Sequence, residues 1–259
     1  ILLGNAAAQH PQAGQLLALA NWIARHTGAS VGYLSADANT VGAQLVNALP
    51  GAGGLNAGQM LSQPMKALLL LDVEPAYDAA NPTAAKAALA GSGLVVALTS
   101  FKDAAVDNAD VLLPIAPFTE TAGSFVNAEG RVQSFHGVVK PAGDARPAWK
   151  VLRVLGNLLG LPGFEQDSAE QVKAEALGDL ATVASRLNNT PAAAIGTVVA
   201  AAAGTERVAD VPIYSADALV RRAPSLQLTA DAKPPVASLG SALWQQLALR
   251  DGDRVCLTQ

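Results

Sequence analysis

Short apolar runs alternate with segments of helical periodicity through the first half of the chain. Residues 1–4 form an apolar run that ends at Gly4. Leu16, Leu19, Ala20 and Ile23 then fall at helical spacing within 16–26, and Gly28 follows as a stop signal. With a second apolar run at 30–34 this predicts a strand, a helix and a strand. The rhythm repeats: an apolar run at 65–73, an alanine-rich helix at 83–90, strands at 94–99 and 111–114. Runs without interleaved polar positions, separated by helices, predict a parallel sheet buried on both faces. The expected architecture is α/β, with a doubly wound, mostly parallel, Rossmann-like sheet.

Beyond Pro117 the pattern changes. Two short β runs, 123–126 and 131–135, flank 127–130, where Gly130 can take the left-handed conformation of a hairpin bulge. Ser168 stands as an N-cap before a helix expected over 168–177. The stretch 190–204 is alanine-rich and fits an inner helix or strand equally well, and 223–236, with Pro224, Pro234 and Pro235, reads as a linker.

Composition narrows the chemistry. Apolar residues make up 51% of the 259 residues and charged residues 15%, which suits a packed domain, and a net charge of −4 leaves no electrostatic footprint for nucleic acid. The longest weakly polar stretch, 191–204, is too short to span a bilayer, so no direct membrane insertion is expected. The start within an apolar run, without an initiator Met, reads as a piece of a longer chain. Cys256 is the only cysteine and His10, His26 and His136 lack ligand spacing, so neither an iron–sulfur cluster nor a zinc site can be assembled. Cys256 is expected to be a small buried strand residue. The Gly-rich stretches at 51–54 and 91–93 do not fit G-x-G-x-x-G and read as turns. Asp72 and Glu74 read as hydrated loop carboxylates rather than cation ligands.

One string carries more than a hairpin requires: Glu120-Thr121-Ala122-Gly123-Ser124-Phe125-Val126-Asn127-Ala128-Glu129-Gly130-Arg131-Val132-Gln133. It resembles the E-T-x-G-[ST]-F-x-N-x-E-G-R-x-Q segment of the molybdopterin oxidoreductase superfamily, to which formate dehydrogenases, nitrate reductases and the large iron–sulfur subunit of respiratory complex I belong. Asp110-Val111-Leu112-Leu113-Pro114 upstream and Gly143-Asp144-Ala145-Arg146-Pro147-Ala148-Trp149-Lys150 downstream resemble its neighbours in the same order. The segments 4–11, 74–78 and 212–223 resemble the complex I branch, the large iron–sulfur subunit of NADH–quinone oxidoreductase. Asp251-Gly252-Asp253-Arg254-Val255 resembles the lead-in to the superfamily's terminal β-barrel.

The resemblance implies a Rossmann-like domain over 1–165, helical segments and linker over 166–235, and the start of a barrel over 236–259. It implies a scaffold role in NADH-to-quinone electron transfer, with no catalytic or metal-binding residue in this chain and iron–sulfur clusters in a preceding part. The implied partners are other peripheral-arm subunits, at the cytoplasmic face of the bacterial inner membrane. Glu120, Gly123, Asn127, Glu129 and Arg131 would neighbour the cofactor in a molybdenum enzyme and are the candidate relic site. In such enzymes a Gly-x-Asn-Pro-like loop follows the strand equivalent to 68–71 and admits the guanosine of the cofactor. Here Asp72-Val73-Glu74-Pro75 stands instead. Two carboxylates beside a pyrophosphate repel it, by about 4 kcal/mol per pair of unit charges at ~4 Å and a dielectric near 20. Molybdopterin is therefore not expected. The alternative is a molybdopterin guanine dinucleotide-binding domain of a molybdenum-dependent oxidoreductase such as formate dehydrogenase.

Overall fold

The computed structural model describes residues 1–8, 10–35, 37–191, 194–196, 211–232 and 236–256. Most of the alanine-rich 190–204 stretch, Gln9 of the 4–11 segment, and Pro234 and Pro235 of the expected linker lie outside the described residues. The chain divides into two compact units, Ile1–Asp210 and Val211–Gln259.

The first unit opens with the expected strand–helix–strand. Strand β1 (Leu2–Leu3) pairs in parallel with β2 (Gly32–Tyr33), and the helix Ala13–Thr27 connects them. That helix stops at Gly28, which takes φ 72°, a left-handed conformation that glycine adopts without a Cβ penalty. A three-stranded parallel sheet follows, with β4 (Val95–Thr99) between β3 (Leu68–Leu71) and β5 (Val111–Pro114).

The strands come where the apolar runs predict them, but among the described residues they form two small parallel ladders. Burial on both faces holds for the central strand β4, where Val95, Ala97 and Leu98 are buried. It fails at β3. Leu68 packs with Leu89 of the helix Pro82–Gly91 and with Val95, whereas Leu69 and Leu71, on the opposite face, are 47% and 42% exposed. The order β3-β4-β5 explains this, because it contains no reversal. Crossovers of one hand between strands laid down in sequence fall on the same face, so on the other face the edge strand β3 stays partly exposed although Leu98 of the central strand is buried there.

The antiparallel hairpin forms as expected, with β6 (Gly123–Val126) opposite β7 (Val132–Phe135) and Gly130 at φ 80°. Val126 is buried against Leu177 and Val183, with Val41, Leu45 and Val132 packed around them. One face of the hairpin, carrying Val126 and Val132, thus packs with residues of the helix Thr40–Leu45 and of the helix Ala169–Leu177. Ser168 caps the latter, its hydroxyl accepting from the Gln171 N–H at 3.2 Å.

The second unit holds the short helices Ala218–Arg221, Pro224–Gln227 and Ser241–Gln246. Pro224–Gln227 falls inside the stretch read as a linker. Among the described residues of this unit there is no strand and no barrel. Asp253 accepts from the Arg250 N–H at 2.8 Å and Gly252 takes φ 89°, so Asp251-Gly252-Asp253 is a turn. Cys256 is exposed and lies outside any strand, which corrects the buried-strand expectation: no neighbouring strand is present among the described residues to cover it.

Candidate functional site

The hairpin gathers two of the five candidate residues at cavities and leaves the others as its own scaffolding. Asn127 closes the tip. Its Oδ1 accepts from the N–H groups of Glu129 (3.0 Å) and Arg131 (2.9 Å), and its backbone N–H donates to the Arg131 carbonyl. An Asn side chain that satisfies two amides in a loop of this length fixes the turn that Gly130 completes. Gly130 itself is required sterically, since a Cβ there would stand 2.6 Å from Ala184 Cα.

Glu129 and Arg131 lie beyond that turn, their side chains 77% and 71% exposed and 4.0 Å apart. A pair so exposed contributes at most a few tenths of a kcal/mol, about 0–1 in general. Gly123 faces the ring of Phe135, where a Cβ would fall 2.4 Å from Cζ. Glu120 lies on the short helical turn Phe118–Glu120, and its Oε2 accepts from the Ala142 N–H at 2.9 Å, tying the chain that enters the hairpin to the chain that leaves it.

Two cavities flank the hairpin and meet at Trp149. One, of about 390 Å³, is lined by Gly123, Ser124 and Phe135 of the hairpin, by residues of the helices Thr40–Leu45 and Ala169–Leu177, and by His136. The other, of about 790 Å³, is lined by Glu120, Lys140, Arg146, Lys150 and Asp167. Lys150 lies 5.3 Å from the Trp149 ring centroid and Arg146 donates to the Ala145 and Gly143 carbonyls, so both cations are already engaged. Asp167 accepts from Arg153 Nη1 at 3.2 Å.

Sequence reasoning left out Lys173, Glu170 and Trp149 as site residues. Lys173 Nζ donates to Ser134 Oγ at 3.1 Å, and Ser134 Oγ lies 2.8 Å from Ser124 Oγ. The helix Ala169–Leu177 places Glu170 and Lys173 three residues apart, hence on one side. The Glu170 carboxyl is held below the ordinary glutamate range, first by a hydrogen bond from its own backbone N–H, then by the Ser168 hydroxyl, with His136 and Lys173 adding favourable charge. That i, i+3 spacing was the available signal. What brings it opposite Ser134 is tertiary.

The loop after β3 folds back onto the end of its sheet. Asp72 follows β3 with φ 50°, and its N–H donates to the Leu98 carbonyl at 2.8 Å. Glu74 is only 5% exposed, so it is no hydrated loop carboxylate, and its N–H donates to Asp78 Oδ2 at 2.7 Å. The void beside it, between Pro75, Leu89 and Thr99, measures about 10 Å³. That is room for about one water, whereas sites for small molecules run to ~300 Å³ and above. That void is too small for a dinucleotide. Among the described residues no group of three or more His, Cys, Asp or Glu could hold a metal ion, and no helix is long and apolar enough to cross a membrane.

Comparison with known proteins places these features in a lineage. The Molybdopterin oxidoreductase family model matches residues 1–158. The G subunit of NADH-quinone oxidoreductase from Mycobacterium bovis is 39% identical over 127 residues, 45% of this chain and 16% of that protein. Its namesake from Streptomyces coelicolor is 35% identical over 134 residues, 47% of this chain and 16% of that protein. A Staphylococcus aureus protein named for formate dehydrogenase is 42% identical over 52 residues, 20% of this chain and 5% of that protein. The chain therefore matches only a small part of the length of these relatives.

Proposed function

Because this chain belongs to the molybdopterin oxidoreductase family, we propose that it is a scaffold region of the large iron–sulfur subunit of a bacterial NADH–quinone oxidoreductase. In this reading it performs no chemistry itself and supports electron transfer from NADH to quinone by holding neighbouring subunits of the peripheral arm, at the cytoplasmic face of the inner membrane. Iron–sulfur clusters belong to another part of the subunit. The observation that carries the reading is the filled end of β3, where buried Glu74 lines a void of only about 10 Å³. That void has no room for a dinucleotide, whose sites run to ~300 Å³ and above. The match to two relatives named as G subunits of NADH-quinone oxidoreductase supports the same reading. Residues 1–165 would be the Rossmann-like domain, its two ladders parts of one doubly wound sheet in the whole subunit. Residues 166–235 would be helical segments and linker, and 236–259 would join a terminal barrel completed by chain beyond it.

A second reading, a molybdopterin guanine dinucleotide-binding domain of a molybdenum-dependent oxidoreductase, is favoured by the hairpin string and by the relative named for formate dehydrogenase. Glu120, Gly123, Asn127, Glu129 and Arg131 would then lie beside the cofactor. Mass spectrometry of the purified full-length subunit after acid release separates the two. Iron without molybdenum or guanine dinucleotide is expected; stoichiometric molybdenum with the dinucleotide would replace the scaffold reading by the second.

A further inference from the structure

The scaffold reading assigns no ligand to the cavity of about 390 Å³ beside the hairpin. Its size is at the small end of the range for small-molecule sites, which are typically apolar with a few placed polar groups. The walls fit that description: Val46, Val126, Phe135, Val172 and Leu177 supply the apolar surface. Asn39 lines it too, but both ends of its amide are occupied, Oδ1 by the Val126 N–H at 2.9 Å and Nδ2 by the Ser124 carbonyl at 3.4 Å.

The polar groups converge at one place. Ser124, Ser134 and Lys173 form a chain of hydrogen bonds that ends in an ammonium. Among the described residues no carboxylate lies within 4.0 Å of Lys173 Nζ. Glu170 also lines the cavity and attracts Lys173, but it takes its hydrogen bonds from its own backbone N–H and the Ser168 hydroxyl and stands beyond 4.0 Å from the ammonium. A solvent-accessible ammonium with a hydroxyl beside it, lining an otherwise apolar cavity, favours an anion carried on an apolar body.

We propose that this cavity binds a small carboxylate with an apolar tail, its head on Lys173 and Ser134 and its tail along Val46 and Val172. The volume suits a single ring or a chain of about eight carbons. Octanoate titrated into the protein by calorimetry, below its micelle-forming concentration, tests this. One saturable site per chain is expected. Lys173→Gln should weaken binding about tenfold, the loss of one charge-assisted hydrogen bond. Ala43→Leu, which projects into the cavity, should abolish it, and octanol should bind no better to the wild type than octanoate does to Lys173→Gln. Non-saturable uptake, octanol binding equal to octanoate, or unchanged affinity in Lys173→Gln would overturn the proposal. Lys173→Gln removes only an ammonium from a half-buried position, so its result stands even where Ala43→Leu perturbs folding.

Discussion

Asn127 and its neighbours separate residues that build the hairpin from residues that merely decorate it. Asn127→Ala removes the acceptor for two amides and should cost about 1–2 kcal/mol in urea denaturation. Gly130→Ala places a Cβ 2.6 Å from Ala184 Cα at a left-handed position and should cost more, about 2–3 kcal/mol. Glu129→Ala and Arg131→Ala should each move the midpoint by less than about 0.5 kcal/mol, since both side chains are solvated. A loss above about 2 kcal/mol at either would show that the pair is engaged beyond the tip. Glu170 contributes to the pH dependence. Its folded value is depressed, so its contribution is present above the unfolded glutamate value and is lost as pH falls through the lowered folded one. An NMR titration should place the Glu170 midpoint below that of a free glutamate, and Ser168→Ala should move it back upward.

At the scale of elements, what depends on neighbours in the chain was legible and what depends on neighbours in space was not. Gly28 and Ser168 mark helix ends through local geometry, and both stand where the sequence places them. Ser168→Ala should therefore lower stability by about 1 kcal/mol, measured as a shift in the denaturation midpoint. The four-leucine run of β3 gives no such guidance. Its composition is that of a strand covered twice, yet Leu69 and Leu71 are open on the edge strand while Leu98, beside Leu71 on the same face of the central strand, is buried. The same applies to the candidate site: the string 120–133 identifies a hairpin, but only packing reveals that Glu129 and Arg131 are solvated while Lys173, about forty residues on, faces Ser134.

For the whole molecule the composition of the interior matters most. Of the fifteen buried apolar residues among the described part, seven are alanine, and each buries far less area than a leucine. The core is also split, one cluster around Leu68, Leu89 and Val95 and another around Val126, Leu177 and Val183. Calorimetry should show a broad unfolding transition with an enthalpy below the usual ~0.7 kcal/mol per residue near 60 °C. A sharp transition at the full value would mean that the clusters unfold as one.

The left-handed Asp72 has a bearing on what this lineage can become. Its backbone carries the N–H that seals β3 to Leu98, so the plug at the end of the sheet is made of main chain and the buried Glu74 together. Swapping side chains there would empty a site without opening one. Admitting a larger group there would need the loop rebuilt in length and path, so the main chain, more than any side chain, sets what this sheet end can hold.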